Sequence, residues 1–425
     1  MEAVPGPLLG AIADDVTGAT DLCSALAHEG MRAVLTFGAA REVDLPEADA
    51  VVVALKSRTA PATTAVRDAL DALDRLRDLG TRRFFFKVCS TFDSTPEGNI
   101  GPVADALLDA LGGDLEVVCP AYPANGRTVA HGHLFVDGRL LSESSLSTHP
   151  LTPMTDPDLV RFLGLQTPRR VGLVPLGVVR RGVAAIEQRL RELRREGVAH
   201  AVVDALEEDD LAALAEACRD LPLVTGGAGL ARGLPDAYRR GGLLAEHAAA
   251  PELPPVGGAA VVIAGSCSAA TREQVRRMTA RHPSVRVDAL AARDDPHAAE
   301  AVAAEAASHL GEGPVLVYST APPDEVARVQ ERLGARPAGA AVEELLADVA
   351  RRLVADGVRR LIVAGGETSG AVVQAVGLQA LVAEREIAPG VPRMVSLGEP
   401  RMAFAFKSGN FGGPDFFFEA LEAVR

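Results

Sequence analysis

Two adjacent carboxylates follow the first apolar run of the chain. In the segment AIADDVTGATD, Asp14 and Asp15 come directly after a predicted strand, and Thr17 begins a predicted helix. A carboxylate pair of this kind suits a general base together with a group that binds substrate hydroxyls or a metal. Helix capping and turn chemistry explain an Asp-Asp pair equally well. The pair is therefore a candidate site, and its role stays open at this point.

Two further apolar runs end in polar clusters. AVVVAL is followed by LKSRT, in which Lys56 and Arg58 form a cationic fork that suits a carboxylate, although a solvated strand end has the same composition. RRFFF is followed by KVCSTFDSTPEGNIG, which brings Lys87, several hydroxyls, Asp93 and Asn99 to the start of another helix. So many polar groups after an FFF run are hard to explain by stability, and we expect them to have a function.

A long polar segment, Tyr122 to Thr167, interrupts this pattern. We predict a functional loop, because long segments without regular structure are usually functional or disordered, and the aromatic and charged content argues against disorder. Asn125 and Arg127 are its candidate substrate contacts. His131 and His133 have the spacing of a metal pair, but a third ligand is lacking, so we expect them to be structural.

Three strand-to-helix turns in the second half of the chain are rich in small residues. VVIAGSCS and LIVAGGETSGAVVQAV would present unpaired N–H groups to an anion, so we predict that both cradle phosphates. Neither is a P-loop, and GxGxxG does not occur. Glu367 would repel phosphates unless it faces the ribose or reaches them through Mg²⁺, and both options stay open. In the third turn, FKSGNFGG, Lys407 and Gly409 follow a strand and complete a site of small residues.

The elements that carry these clusters alternate between apolar runs and amphipathic helices, which is typical of parallel α/β sheets. At 425 residues the chain exceeds the ~250–300 residues at which a single core stops growing. We therefore predict an α/β fold of two domains, each a largely parallel sheet flanked by helices, with an interdomain cleft. The stretch AAAPELPPVGG has the composition of a stiff linker. It divides the chain into residues 1–245, a linker 246–255 and residues 256–425.

Composition excludes several classes of function. The formal charge of −14, without a basic stripe, disfavours nucleic acid as a partner. A small anionic substrate stays compatible, because salt screens the long-range field within roughly 8 Å. The five cysteines are odd in number and lack zinc-ligand spacing, so we expect reduced thiols. No apolar run reaches the ~18 residues of a membrane span and the first residues lack a basic leader, so we predict a cytoplasmic protein.

Taken together, the motifs resemble those of the four-carbon acid sugar kinase family. They are ADDVTGATD, LKSRT, KVCSTFDSTPEGNIG, PAYPANGRTVAHGHLFV, HPLTPMTD, AGSCS, AGGETSG and KSGNFGGPDFF, in one order over essentially the whole chain. The form CSTFDSTPEGNIG, with NGRTV, GHLFV and HPLTPMTD, is similar to the branch that acts on 3-oxo-tetronate. The resemblance implies that residues 1–245 bind the sugar acid and that residues 256–425 bind the nucleotide.

The resemblance also implies an ATP-dependent kinase that uses Mg²⁺ and phosphorylates the C4 hydroxyl of 3-oxo-tetronate. On the sugar-acid side, the chemistry of the residues favours Arg58 and Lys87 for the carboxylate, and Asp15 and Asp93 for hydroxyls and catalysis, with Asp15 as the preferred base. The Mg²⁺ ligands stay unknown, and a homodimer is compatible with the sequence. The ATP contacts, carried over from the family, are Ser266, Gly366, Glu367, Thr368, Ser369 and Gly409. The further substrate contacts that we predict are Asp14, Ser90, Asn99 and Arg127.

Three alternatives remain open. The first keeps the family and changes the substrate to D-threonate, L-threonate or erythronate. The second is a non-catalytic sugar-acid-binding protein that nucleotide regulates. The third is a metal-dependent aldolase or isomerase, which would use the aspartate pair and the two histidines of the long segment.

Overall fold

The computed structural model describes residues 6–38, 43–148, 152–245, 253–288 and 295–425. The chain divides into two compact units, Met1–Ala250 and Pro251–Arg425. Each unit consists of a sheet flanked by helices, so the prediction of a two-domain α/β fold is confirmed. Most of the predicted linker, residues 246–252, and the start of the HPLTPMTD motif lie outside the described residues. The domain boundaries and the interdomain cleft stay predictions.

Eight parallel strands form the main sheet of the first unit. Their order is β2-β3-β1-β4-β11-β5-β10-β9, and a separate antiparallel sheet contains β6, β7 and β8. Strands buried on both faces read as continuous apolar runs, which is why AVVVA and VAHAVV are so rich in Val and Ala. The strands are β1 (Leu9–Ala13), β2 (Ala33–Phe37), β3 (Ala50–Ala54), β4 (Arg83–Lys87), β5 (Glu116–Cys119), β6 (Arg127–Ala130), β7 (His133–Val136), β8 (Arg139–Leu140), β9 (Arg170–Val174), β10 (Val198–Val203) and β11 (Leu223–Gly226).

Helices connect these strands and pack one apolar side against the sheet. In the second helix, ATTAVRDALDALDRLRD, the buried residues recur at three- and four-residue steps, with charged residues between them. The described helices of this unit are α1 (Val16–His28), α2 (Ala62–Asp78), α3 (Ile100–Ala110), α4 (Leu159–Gly164), α5 (Leu176–Val179), α6 (Val183–Arg195), α7 (Glu208–Cys218) and α8 (Ala228–Arg240).

The segment Tyr122–Thr167 is not the irregular loop that we predicted. It contains β6, β7, β8 and α4, together with three short 3₁₀ helices. Strands of two to four residues are too short to show a clear alternation of apolar and polar side chains. The available signal was the regular spacing of three glycines with positive φ in the turns, Gly126, Gly132 and Gly138.

A buried histidine joins three strands of the first unit. His200 on β10 lies between Glu116 on β5, 2.7 Å from its Nδ1, and Asp105 on α3, 2.8 Å from its Nε2. Glu116 also accepts a hydrogen bond from the Thr225 hydroxyl on β11. Burial opposes protonation of the imidazole, but the two carboxylates outweigh it and raise the pKa of His200 to about 9. The first unit thus contains a protonated histidine whose two ring nitrogens are paired with the carboxylates of Glu116 and Asp105.

The second unit contains a mixed sheet with the order β13-β14-β12-β15-β18-β17-β16. The pairs from β13 to β18 in this order are parallel, whereas β17 is antiparallel to both β18 and β16. The strands are β12 (Ala259–Ala264), β13 (Ser284–Arg286), β14 (Val315–Tyr318), β15 (Val358–Ala364), β16 (Ala380–Ala388), β17 (Val391–Ser396) and β18 (Ala403–Lys407). The described helices are α9 (Ala269–Thr279), α10 (Ala298–Ser308), α11 (Pro323–Leu333), α12 (Ala335–Ala355), α13 (Gly366–Val376) and α14 (Phe416–Ala423).

Two general properties concern the whole described chain. No helix in the described ranges is both long enough and apolar enough to cross a membrane. All five cysteines are free thiols. Cys23, Cys119 and Cys218 are buried in the cores, whereas Cys89 and Cys267 are half-buried and follow β4 and β12.

Candidate functional site

The polar clusters of the first unit meet because three neighbouring strands end at the same edge of the sheet. Ala13 at the end of β1 pairs with Ala54 on β3 and with Lys87 on β4. Backbone hydrogen bonds continue past the strand ends, since the Asp14 N–H donates to the Lys87 carbonyl at 3.1 Å and the Arg58 N–H donates to the Asp14 carbonyl at 3.1 Å. The segments ADD, LKSRT and KVCSTFD therefore converge at one edge of the sheet.

Arg58 binds both carboxylates of the aspartate pair. Its Nε and Nη2 donate to the two oxygens of Asp14 at 3.0 and 2.7 Å, and Nη2 also lies 2.6 Å from Asp15 Oδ1. Burial raises the pKa of Asp14 and prevails over the attraction of Arg58. Burial also disfavours ionisation of Asp15, but Arg58, the Thr17 hydroxyl, Lys87 and the Gly18 N–H together lower the pKa of that carboxyl. The environment thus shifts the pKa values of these two neighbouring aspartates in opposite directions.

Asp15 also caps helix α1, so both interpretations of the aspartate pair apply. Its Oδ1 accepts the Gly18 N–H at 2.8 Å, and its Oδ2 accepts the Thr17 hydroxyl at 2.7 Å. With Arg58 this makes three donors to one carboxylate. A carboxylate offers about four acceptor positions, so one position of Asp15 has no described donor.

Lys87 lies next to this group and is only 2% exposed. Its Nζ donates to the Val88 carbonyl at 3.0 Å and lies 3.6 Å from Asp21 Oδ2. A Cβ atom on Gly18 would lie 3.3 Å from the Lys87 ammonium and 3.6 Å from Arg58 Nη2. Such a side chain would also collide with Asp15 Oδ1, so glycine at this position lets the Asp15 carboxylate approach the start of α1.

The loop after β4 brings a third carboxylate toward the same cations. Thr91 donates its hydroxyl to Asp93 Oδ1 at 2.7 Å, and Cys89 Sγ lies 3.0 Å from the Thr91 hydroxyl. Burial and then the charge of Asp93 raise the pKa of Cys89 to about 11, while Arg58 and Lys87 oppose them. Cys89 is therefore close enough to Asp93, Arg58 and Lys87 for all three charges to act on its thiol.

Phe92, directly before Asp93, adopts a backbone conformation that is rare for an aromatic residue. Its φ is 55°, its side chain is fully buried, and its ring meets Phe162 edge-on at 6.3 Å. A positive φ at a residue with a large side chain costs energy, and such strain concentrates at functional loops. The packing of Phe92 therefore fixes the loop that presents Asp93.

The structure places the other predicted substrate contacts in different ways. Ser90 is half-buried in the same loop as Asp93. Asn99 donates its side-chain amide to the carbonyls of Ser57 and Ala60 at 2.7 and 2.9 Å, so its amide nitrogen holds the loop that carries Arg58. Arg127 lies in β6, and its described hydrogen bond from the guanidinium goes to the Asn125 carbonyl. No described contact joins it to the aspartate pair.

The two histidines of the long segment show no metal-binding arrangement in the described part of the chain. His133 Nδ1 lies 2.8 Å from the His131 carbonyl, and the His131 N–H donates to the buried Asp204. No group of three or more His, Cys, Asp or Glu side chains among the described residues could hold a metal.

In the second unit, three turns rich in small residues are joined by backbone hydrogen bonds. The N–H groups of Gly265 and Ser266 donate to the Ala364 carbonyl at 3.0 and 3.1 Å, and the Gly365 N–H donates to the Lys407 carbonyl at 2.9 Å. The ends of β12, β15 and β18 thus come together, as β1, β3 and β4 do in the first unit.

The approach of these turns requires glycine. A Cβ atom on Gly265 would collide with the Thr368 hydroxyl, and one on Gly409 would lie 2.5 Å from Ser266 Oγ and 3.3 Å from Ser268 Cβ. Gly365 has a φ of 127°, which other residues rarely adopt. The predicted ATP contacts Ser266, Thr368 and Gly409 therefore belong to one cluster.

Helices α9 and α13 begin in this cluster and differ in how they are capped. Ser268 caps α9 by accepting the Thr271 N–H at 3.2 Å. At the start of α13, Gly365 provides no side-chain cap, and the Ser369 hydroxyl donates backward to the Gly365 carbonyl at 2.7 Å. The first N–H groups of α13, including that of Gly366, thus receive no side-chain acceptor from the N-cap residue, and Glu367 is the acidic residue of its first turn.

Lys407, which we predicted to help complete the site of small residues but not to contact ATP, lies at the centre of this cluster. Its side chain is fully buried, and Nζ donates to the Thr271 hydroxyl at 2.9 Å and to the Gly409 carbonyl at 3.0 Å. Burial lowers its pKa to about 7. Sequence reasoning could not detect this role, because a Lys at a strand end is more often solvated.

Both units match known domain types. The sugar-binding N-terminal domain matches residues 9–234, and the nucleotide-binding C-terminal domain matches residues 261–417. A protein of Cupriavidus necator named 3-oxo-tetronate kinase is 54% identical over 98% of this chain and 97% of its own length. The chain belongs to the four-carbon acid sugar kinase family. The prediction of this family, which was made from the motifs, is confirmed.

Other proteins are also similar to this chain over nearly its whole length. A 3-oxo-tetronate kinase of Burkholderia multivorans is 53% identical over 98% of this chain and 97% of its own length. Among solved structures, a Salmonella typhimurium LT2 protein has a TM-score of 0.84 and 43% identity over 97% of this chain and 98% of its own. A Haemophilus influenzae protein has a TM-score of 0.76 and 40% identity over 98% of this chain and 100% of its own. The predicted site residues stay predictions, since these similarities concern whole chains.

Proposed function

We propose that the chain transfers the γ-phosphoryl group of ATP to the C4 hydroxyl of 3-oxo-tetronate. The observation that carries this proposal is identity of 54% and 53%, over 98% of the chain, to proteins named 3-oxo-tetronate kinase. These names confirm the prediction of a kinase, that is, of a phosphotransferase acting on small molecules. The position of the phosphorylated hydroxyl, the homodimer and the cytoplasmic location stay predictions.

The polar residues at the strand ends of the first unit, Asp14, Asp15, Arg58, Lys87 and Asp93, form what we call the edge cluster. This cluster supports a role in binding the sugar acid. Arg58 and Lys87 supply positive charge for its carboxylate, and Asp15 and Asp93 supply acceptors for its hydroxyls. Asp15 is held ionised and keeps an acceptor position, so we propose it as the group that receives the C4 proton. A strong base is not required, because phosphoryl transfer depends mainly on alignment and charge neutralisation.

The glycine turns of the second unit support a role in binding ATP. Backbone N–H groups at the start of α13 and the close approach of Ser266 and Gly409 give a surface of small residues suited to phosphates. We propose Mg²⁺ as the divalent ion. Because Mg²⁺ keeps several waters and binds through one or two carboxylates and the phosphates, the lack of a metal cage among the described residues fits an ion that arrives with ATP. Bound there, the ion would neutralise phosphate charge.

A substrate panel tests the proposal. ADP release is measured with 3-oxo-tetronate, D-threonate, L-threonate and erythronate, and the product is located by phosphorus NMR. We expect kcat/KM for 3-oxo-tetronate to exceed the others by about 10²-fold or more. In a site built to bind a ketone, an alcohol in the same place leaves polar groups unpaired, and this disfavours the alcohol. Comparable rates on all four acids would contradict the substrate assignment. ADP release no faster than without the protein would favour the binding protein, and turnover without ATP would favour the aldolase or isomerase.

A further inference from the structure

A single carbonyl oxygen ties the third turn of the second unit to helix α9. The Gly409 carbonyl lies within hydrogen-bonding distance of three donors, which are the hydroxyls of Ser268 and Thr271 and the ammonium of Lys407. Ser268 is also the cap of α9, and Ser266 two residues earlier faces Gly409. The position of the Gly409 turn therefore depends on Lys407.

Hydrogen bonding alone does not account for an ammonium at this place. Lys407 Nζ has two described acceptors, both neutral, and no ion pair joins it to a carboxylate in the described part of the chain. Burial of a charge without a counter-charge is costly, and a neutral side chain that fills the same volume would avoid the cost. A lysine at this place, despite that cost, is explained if a bound anion completes the site.

No carboxylate described on the surrounding elements forms an ion pair with Lys407. The titratable or charged groups nearest in sequence on these elements are Cys267 before α9, Arg272 and Glu273 in α9, Glu367 at the start of α13, and Asp415 before α14. Arg272 donates to the Cys267 carbonyl at 3.4 Å, and Glu273 and Asp415 pair with Arg277. Burial raises the pKa of Cys267, so this thiol is not an anion near neutral pH. Burial is the described cause of the shift at Lys407, with no charged neighbour acting on it.

We propose that Lys407 is a positioning residue of the nucleotide site, whose ammonium holds the Gly409 turn in place and whose charge the phosphates of the bound nucleotide balance. The inference rests on the proposed function of the second unit. It has a consequence for pH. Because Lys407 loses its proton near pH 7 in the free protein and a bound phosphate favours the charged form, nucleotide binding takes up a proton above about pH 7.

The test is titration calorimetry with ADP, in two buffers of different ionisation enthalpy, from about pH 7.5 to about pH 9, where the nucleotide phosphates no longer titrate. We expect the wild type to take up a fraction of a proton that approaches one, and to lose affinity about tenfold for each pH unit. Lys407→Met should bind ADP about tenfold or more weakly at pH 7.5 and show no such uptake. Thr271→Val, which removes the hydroxyl that contacts Lys407 and Gly409 but keeps the ammonium, should retain the proton uptake.

The melting temperature without nucleotide separates positioning from simple support of the fold. If the charge is retained for the ligand, Lys407→Met should melt at the same or a higher temperature below about pH 7, because it removes a buried unpaired charge. Equal ADP affinity and pH dependence in Lys407→Met and the wild type would overturn the inference. So would the absence of proton uptake in the wild type, whatever the variant does. A wild type that binds no ADP at all would instead overturn the proposed function.

Discussion

At the strand ends of the first unit, Arg58 and Lys87 lie beside carboxylates, whereas in the second unit the described partners of Lys407 are a hydroxyl and a carbonyl. The first arrangement is balanced by its own residues, and its recognition depends on the direction of donors and acceptors. In the second arrangement the described acceptors of the lysine are neutral, and the turns around it approach each other through glycine. A sugar acid with several hydroxyls fits the former, and a polyphosphate that brings its own charge fits the latter.

Asp15→Asn is expected to have the largest effect, because it removes the acceptor that defines the first region. Asn is as good a helix cap as Asp, so α1 should stay intact. We expect kcat to fall by about 10²–10⁴-fold with little change in nucleotide affinity, the usual span for loss of a general base. Steady-state kinetics with both substrates measure this.

Asp49→Asn is the matched control for this change. Asp49 also forms a bidentate pair with an arginine, Arg32, at 3.1 and 2.7 Å, but not at the edge cluster. The Asp49→Asn variant should keep kcat within about threefold of the wild type, because an exposed or half-buried ion pair contributes modestly to stability. If Asp15→Asn also stays within that range, Asp15 is not the base, and Asp93 takes its place as the candidate.

Gly409→Val tests whether the second region depends on close approach of backbones. A side chain at this position would meet Ser266 and Ser268, so we expect KM for ATP to rise about tenfold or more, which corresponds to about 1.4 kcal/mol. KM for the sugar acid should stay nearly constant. Gly413→Val, in the same segment with open space around its Cα, is the control. A rise of equal size in both variants would show that the segment tolerates no substitution and would remove the argument for a cradle.

The smallest effect concerns pH, and here the two units should respond with opposite sign. The pKa of His200, about 9, lies above the ~6.5 of an unfolded histidine, so the stabilisation from His200 is complete below about pH 6.5 and is lost as pH rises through about 9. The pKa of Lys407, about 7, lies below the ~10.4 of an unfolded lysine, so its destabilisation is complete below about pH 7 and disappears toward about pH 10.4. Each slope is at most about 1.4 kcal/mol per pH unit.

Urea unfolding of the wild type, His200→Gln and Lys407→Met from about pH 6.5 to about pH 9.5 measures these slopes. The free energy of unfolding of the wild type minus that of His200→Gln should fall with pH, and the same difference for Lys407→Met should rise. Two slopes of the same sign would contradict the contrast between a balanced and an unbalanced buried charge.

The sequence predicted the edge cluster because parallel strands that are neighbours end together, and apolar runs mark where each strand ends. It did not predict which partner each cation has. Arg58 and Asp14 are 44 residues apart, and their contact depends on the register of β1 against β3. Nor did the sequence show that the amide nitrogen of Asn99 holds the loop of Arg58, and the contact of Asn99 with substrate stays a prediction.

In the second unit the glycine turns were predicted and the helices near them only in part. The apolar periodicity of the sequence indicates a helix only from Val342 to Ala355, whereas α12 begins at Ala335. The stretch ARPAGAA would place small residues on all sides of a helix, so it shows no separation into an apolar and a polar face. The burial of Lys407 was equally hidden, because it results from the packing of three turns that are more than 130 residues apart at their extremes.

The distribution of thiols gives the protein two built-in chemical reporters. Cys89 lies beside Asp93 in one region and Cys267 follows β12 in the other, while the remaining three are enclosed in the cores. Because the pKa values of both thiols are raised, a slow alkylating reagent applied above about pH 9, where the thiolate fraction grows, followed by mass spectrometry of the two peptides, would register occupancy of each half separately in one unmodified sample. Protection of one peptide by a sugar acid and of the other by a nucleotide would map both ligands without any substitution.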